Sequence, residues 1–485
     1  IPWSELPFQI ATETTPWLIS DNPRFAGVSS FGFSGTNAHV VIEDVETLYI
    51  TSHDQLENTT EPPLHLLTLS AKTEEALSEI VNNYKEYLTN NSDIKFADIC
   101  FSANTGRSHF QNRLVIIAES RDDALQQLET LCITSLHNGS VFAGTISNKR
   151  PKIAFLFTGE SSKLNTGWQL YQTQPTFKQA LDKCNEILKS LLNLDLLTLI
   201  SSPSTPSTPS TPSTPSIPST PQLLIFSIKY ALYQLWTSWG INPDIVIGDG
   251  IGEFVAATVA GVFSLEDALK LVINLGQPEF EEIANSIKYS SPQIEIISNV
   301  DGKLIDAEIV NPKYWCKQIS LAVSIEKIIE NLKQNNCDIC LEIGENYAKS
   351  TSTEILLLSS LASDENNNDW QIMLSSLAQM YVNGVNIDWQ GFEQDYHRNR
   401  VLLPTYPFQR QLYYADVNPK LIKTSNQRDI LHPLLGEKLD LSRSNTIYFQ
   451  NYINSNNPAY LQQHQVFDKV IIPGAGYIEM AASAG

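Results

Sequence analysis

Between Ile245 and Ala257 the chain reads IVIGDGIGEFVAA. The first residues form a short apolar run of the kind a buried strand makes. The glycines mark a turn, and the spacing beyond it is helical. At such a strand-to-helix turn proteins present a nucleophile to a substrate, or cradle a phosphate on backbone N–H groups. Here the turn is Gly248-Asp249-Gly250-Ile251-Gly252-Glu253, with no Ser, Cys or Lys in it. It has the form of a catalytic element without the reacting atom. Asp249 carries a carboxylate, a group that serves as nucleophile in some enzymes. Alternatively the turn only joins strand to helix, and Gly250 takes a positive φ at no steric cost. A third reading is a dinucleotide fingerprint, Gly-x-Gly-x-x-Gly after a strand. Against it, Glu253 occupies the third glycine position, and Glu266 and Asp267 open a helix where a second strand should end in an acidic residue.

Other reactive side chains are scattered. Cys337 and Cys340 form the one close pair among six cysteines, without a second pair or a His cluster. That spacing gives no zinc site and predicts structural thiols in a reducing cytoplasm. His39 lies in GTNAH and His464 in HQVFDKVIIP. A lone histidine is usually structural, so each needs a motif before it gains a role.

The elements that must position these groups alternate. LHLLTLSA and NRLVIIAES read as strands, with helical TEEALSEIVNNYKEYL and RDDALQQLETL between and after them, a small α/β unit. PKIAFLFTG, the opening turn, QIEIISNV and CDICLEIG, with helices between, predict a mainly parallel sheet. Residues 201–221, SSPSTPSTPSTPSTPSIPSTP, interrupt it. Proline at every third position removes donors and fixes φ, so an extended solvated insert is expected. The 485 residues suffice for about three domains, and 42% hydrophobic content allows real cores. A formal charge of −21 argues against nucleic acid or an anionic membrane as partner. No apolar run reaches the ~18 residues of a membrane span and no signal peptide is present, so a cytoplasmic location is expected. The helical pattern still runs at Gly485, as in a piece of a longer chain.

Several stretches, in one order along nearly the whole chain, resemble a modular type I polyketide synthase. RFAGVSSFGFSGTNAHVVIE resembles the carboxyl end of a ketosynthase. LSAKTEEAL through SANTGRSHFQNRLVIIA resembles the ketosynthase-to-acyltransferase linker domain. PKIAFLFTGESS, ALYQLWTSWGINPDIVIGDGIGEFVAA, IISNVDGKL and CLEIG resemble an acyltransferase. RVLLPTYPFQRQLYY is similar to the post-acyltransferase linker. HPLLGEKL and HQVFDKVIIPGAGYIEMA resemble the first hotdog of a dehydratase. The resemblance implies domains at 1–45, 46–148, 149–398, 399–428 and 429–485. The fold class it implies is α/β multidomain. Its parts are an acyltransferase-like (α/β-hydrolase-like) sheet core lacking its small subdomain, a small α/β linker domain and a partial hotdog.

The family's acyltransferase moves malonyl or a relative from coenzyme A to a carrier protein's phosphopantetheine. Its Ser sits in a Gly-His-Ser-x-Gly-Glu turn, and a His takes the proton. By that resemblance Asp249 stands at the His position of the turn and Gly250 at the Ser. Leu275 stands where an Arg should pair with the malonyl carboxylate. The general-base His belongs to a stretch missing after Gly276. The oxyanion turn, Gly-Gln-Gly-Ser-Gln in the family, reads Gly159-Glu160-Ser161-Ser162-Lys163, with Glu160 at the donor position. The same resemblance makes His39 a ketosynthase catalytic position without its Cys partner. It makes His464 the dehydratase base position, with Pro473 in place and Asp468 where Gly is usual. The implied function is a fragment of a synthase that elongates carrier-bound thioesters, with a silent acyltransferase. The alternative is a non-catalytic scaffold or docking module for a trans-acting acyltransferase. A dinucleotide-binding oxidoreductase is a remote alternative. Implied partners are the acyl carrier protein and the rest of the module in a homodimeric parent. No cofactor or metal is expected in the chain itself; the parent assembly uses phosphopantetheine on the carrier.

Overall fold

The computed structural model describes residues 25–32, 36–43, 60–130, 140–146, 149–159, 167–201, 220–298, 304–305, 308–317, 325–345, 355–362, 368–411, 430–439 and 446–484. Glu160 and nearly all of the Ser-Thr-Pro tract lie outside them. The chain divides into two compact units, residues 54–409 and residues 1–53 with 410–485. In the latter unit, β1 (Phe25–Phe31) and β2 (Asn37–Glu43) pair antiparallel, Phe25 opposite Glu43.

The larger unit begins with β3 (His65–Ala71), α1 (Glu74–Asn90), α2 (Phe96–Gly106), β4 (Asn112–Ala118), α3 (Arg121–Thr130) and β5 (Val141–Thr145). Its three strands form an antiparallel sheet, order β3-β4-β5. Thr73 caps α1, its hydroxyl accepting from Ala76 N at 3.2 Å. All seven residues of β4 are buried, because both faces of the sheet are covered. With a period of two, Leu67, Leu69, Leu114 and Ile116 pack with α1 and α2. Leu66, Val115 and Ile117 face the other way and join the main core. The small α/β unit expected from the sequence therefore forms, and it shares one face with the neighbouring sheet.

That sheet has six strands in the order β11-β10-β6-β7-β8-β9. They and their helices follow as β6 (Ile153–Phe157), α4 (Trp168–Thr173), α5 (Pro175–Leu192), α6 (Leu196–Ser201), α7 (Thr220–Ser238), β7 (Ile245–Gly248), α8 (Ile251–Val259), α9 (Leu265–Ile273), α10 (Phe280–Ser286), β8 (Glu295–Ile297), β9 (Leu304–Ile305), α11 (Pro312–Lys317), α12 (Ile325–Gln334), β10 (Ile339–Glu345), β11 (Leu356–Leu361), α13 (Asp369–Val382) and α14 (Trp389–Glu393). Every pairing is parallel except β8 with β9. Strands buried on both faces read as continuous apolar runs, which is why IAFLF and IVIG lack alternation. Between α9 and α10 the chain makes only a tight turn, with Gln277 N donating to Asn274 O at 2.9 Å and Phe280 N to Gln277 O at 3.1 Å.

The strap after α14 runs back over the smaller sheet. Leu403 enters its core, and Val401 N donates to Ser102 Oγ at 2.9 Å. The smaller unit continues with β12 (Ile430–His432), β13 (Gly436–Leu439) and β14 (Tyr448–Gln450), an antiparallel sheet. A hairpin of β15 (Gln465–Val466) and β16 (Lys469–Val470) precedes α15 (Gly474–Ala484).

The strap is anchored by a buried ion pair. Arg398 Nε donates to Glu393 Oε2 at 2.7 Å, and its Nη1 reaches the exposed Glu61 at 2.9 Å. Burial pushes the Glu393 carboxyl up, opposed by the Arg398 charge. Arg398→Ala leaves that carboxylate buried without its cation. A loss of about 3–5 kcal/mol is expected, read as a lower urea midpoint. Adding Glu393→Leu recovers most of it.

Candidate functional site

The opening turn lies at the carboxyl edge of the large sheet, where open α/β sheets place their sites. Strands β6 and β7 run parallel with Phe157 opposite Gly248, so the turns leaving them lie side by side. Asp249 N donates to Phe157 O at 2.8 Å. Gly252 N then donates to Asp249 O at 2.9 Å, and Glu253 N to Gly250 O at 3.2 Å, starting α8. Gly250 sits at φ 54°, ψ −121°, a conformation rarely held by other residues.

The glycines around it have separate reasons. A Cβ at Gly252 would overlap the Phe157 carbonyl, and one at Gly248 would overlap the backbone of Glu253. Close packing of helix against strand requires both to be bare. Gly250 differs. A Cβ there meets only Gly159 Cα, at an ordinary 3.6 Å, and the position is exposed. The turn therefore has steric room for a side chain at its apex and carries none.

Two buried polar arrangements flank the apex. Glu253, in the first turn of α8, is 5% exposed and accepts a hydrogen bond from Tyr314 Oη of α11. Burial pushes its carboxyl up to about 7; the Tyr314 bond lowers it and the Asp249 charge raises it. On the other side, Lys229 of α7 donates from Nζ to Ile343 O at 2.8 Å and Thr158 Oγ1 at 3.1 Å. Thr158 Oγ1 in turn donates to Glu342 Oε1 at 3.1 Å. Burial pulls Lys229 down to about 8, against the charges of Glu342 and Glu345. This chain of bonds ties the ends of β6 and β10 together. The sequence carried a signal for it: Lys229 is the single charged residue of α7. Nothing local marked Tyr314 or Glu342.

Of the residues singled out by sequence, Asp249 and Gly250 sit together at the apex. Leu275 is half-buried in the turn after α9 and packs against the main core. Glu160 falls outside the described residues, next to Gly159, which underlies the apex. His39 and His464 belong to the other unit. His39 lies on β2 opposite Ser29 of β1, with Nδ1 2.8 Å from the Ser29 hydroxyl. His464 Nδ1 lies 2.8 Å from the Ile471 carbonyl. A carbonyl only accepts, so Nδ1 is the donor in this bond. Phe467 and Asp468, between β15 and β16, have φ of 50° and 61°. A two-residue hairpin turn with both φ positive suits Asp or Gly, so Asp468 fits where glycine is usual. Among the described residues no cluster of His, Cys, Asp or Glu could hold a metal, and no helix is long and apolar enough to cross a membrane. The five described cysteines are free, and four of them are buried.

Three family models match the chain. Residues 65–128 match "CurL-like, PKS C-terminal", residues 154–278 the acyl transferase domain, and residues 432–485 the polyketide synthase dehydratase domain. The whole chain aligns with polyketide synthase GfsA of Streptomyces halstedii at 24% identity, spanning 8% of that protein. It aligns with mycoketide-CoA synthase of Mycobacterium tuberculosis at 27%, spanning 13%. Among solved structures, the acyl transferase domain of ZmaA covers 71% of this chain with all of its own length, at TM-score 0.64 and 24% identity. The acyltransferase domain from module 8 of the salinomycin polyketide synthase covers 68% at TM-score 0.56 and 19% identity, which shows a shared fold. Along its whole length the chain is thus similar to modular type I polyketide synthases. Within that class the chain is a stretch containing an acyltransferase domain, with linker sequence before it and dehydratase sequence after it.

Two outcomes follow from the apex. Gly250→Ser fits sterically but forces a non-glycine residue to φ 54°. It is expected to lose about 1–3 kcal/mol in chemical denaturation and to release no coenzyme A above background. Glu253 has a folded pKa of about 7 against 4.5 unfolded. The native state therefore holds a proton that the unfolded state has shed, and stability falls as pH rises through that window. Glu253→Gln removes this slope. Its stability relative to the parent should improve by of order 1–3 kcal/mol between about pH 5 and 8, measured by urea unfolding at each pH.

Proposed function

We propose that this stretch of polyketide synthase no longer transfers acyl groups and serves as a structural module of its parent assembly. One observation carries the reading: the sharp strand-to-helix elbow between β7 and α8 is built, and by the resemblance its nucleophile position is Gly250. The family reaction, which enters only through the resemblance, needs four things here. They are a hydroxyl at the apex, a base to deprotonate it, a cation for the malonyl carboxylate, and backbone donors for the tetrahedral oxyanion. At the first position the chain has glycine. The stretch that should bring the base is absent after Gly276, and the family-model match ends at residue 278. Leu275 offers apolar packing where the cation belongs. A surviving donor near Glu160 would have no intermediate to stabilise. Asp249 does not replace the serine: its carboxylate stands one residue before the apex, and its charge opposes a malonyl group.

The dinucleotide reading gains no support. Glu253, at the third glycine position, is buried and bonded to Tyr314. The docking reading draws on a different observation. The core beneath the elbow is kept, including the Lys229–Thr158–Glu342 chain, although the reacting groups are gone. A domain retained for shape suits a scaffold that holds the flanking ketosynthase and dehydratase segments. A trans-acting acyltransferase would then load phosphopantetheine on the carrier protein. In the flanks, the resemblance makes His39 the ketosynthase position and His464 the dehydratase base position. Each would need partner residues from the rest of a homodimeric cytoplasmic synthase.

Loss of nucleophile or base alone costs roughly 10⁶ in kcat in a serine protease. Incubation with malonyl or methylmalonyl coenzyme A is expected to leave the intact mass unchanged. A stoichiometric acyl adduct by mass spectrometry overturns the reading.

A further inference from the structure

A cleft of about 350 Å³ opens in the larger unit, away from the elbow, between β3, the helices α1 and α2, and the strap at 404–408. Its size falls in the ~300–1,000 Å³ range of small-molecule sites. Leu69, Ile80, Ala103 and Phe110 give it an apolar lining, and Lys72 and Arg107 contribute two cations. No Asp or Glu lines it among the described residues.

That charge pattern runs against the rest of the chain, where 53 acidic residues face 32 Lys and Arg. Neither cation is neutralised by a carboxylate among the described residues. Lys72 lies exposed with Nζ 5.6 Å from the centroid of the Phe110 ring. Arg107 donates to the carbonyls of Gly106, Leu403 and Pro404 at 3.2–3.4 Å. Carbonyls carry no net charge, so the guanidinium is held in place with its charge intact. Aromatic rings line the strap side. Phe110 and Tyr406 meet edge to face at 5.4 Å, Tyr406 and Phe408 lie tilted at 5.2 Å, and Tyr406 Oη accepts from Lys72 N at 3.1 Å. An apolar pocket with aromatic rings and two unneutralised cations matches a ligand with an anionic head and a short apolar body.

We propose that this cleft binds phosphate monoesters of small apolar molecules, with Lys72 and Arg107 holding the phosphate and the apolar lining holding the body. The site is independent of the elbow and of whether the acyltransferase is silent.

Isothermal titration with hexyl phosphate tests it on the whole chain. Saturable binding is expected, with hexanol and inorganic phosphate each at least tenfold weaker. Lys72→Glu should weaken hexyl phosphate at least tenfold. Thr405→Trp, on the lining strap, should block it. Both positions are exposed, so neither change removes core packing. Unaltered melting temperatures would confirm this. Absence of saturable heat overturns the proposal. So does inorganic phosphate binding as tightly as hexyl phosphate, or affinity unchanged in both variants.

Discussion

The backbone of α8 lies directly on the end of β6, and the site's architecture follows from that contact. Gly252 packs on the Phe157 carbonyl while Asp249 N donates to the same oxygen. With the helix start pinned there, the chain must turn sharply between strand and helix. Gly250 is driven to a positive φ and out toward solvent. The exposed apex is thus a consequence of close packing, and it persists whether or not a reactive group sits on it. The form of the turn therefore depends on packing and not on the chemistry of its apex.

The charged groups beside the apex follow from the same burial. Glu253 is carried inward by the first turn of α8 and meets Tyr314; Lys229 is carried inward by α7 and meets Thr158 and a β10 carbonyl. Each is satisfied by hydrogen bonds, as buried polar groups must be. They link the elements at the edge of the sheet around the turn. Removing Tyr314, or Thr158 and its neighbours, would leave a buried polar group without its partner, at a cost in stability.

The two sheets of the larger unit are bound as one body. Arg113 of β4 donates to Tyr381 O at 2.7 Å and lies 4.2 Å from the centre of that ring. His109 Nδ1 sits 2.6 Å from Tyr381 Oη, and its ring stacks on Trp389. With the Asn104 carbonyl 2.9 Å from Nε2, the neutral His109 bridges both sides of the seam. The strap from Arg398 to Phe408 then passes over the smaller sheet and closes the cleft on one side.

Much of the fold was legible in the chain. Continuous apolar runs marked the buried parallel strands, and the three glycines marked the elbow, because backbone packing and positive φ each demand a specific residue type locally. The absence of a Ser, Cys or Lys from that turn was equally plain. The neighbourhood of those residues was not legible. Nothing near Glu253 announces Tyr314, 61 positions on, nor does Lys229 announce Glu342. Lys72 and Arg107 look like ordinary surface charges until the strap at 404–408 joins them in one cleft. The sequence by itself determined the strands and the bare glycine turn between β7 and α8, because those depend on a residue's own shape and its immediate neighbours. Only the tertiary structure decided which charges are buried, paired or left facing a pocket, because that depends on which distant segments the packed sheets bring together.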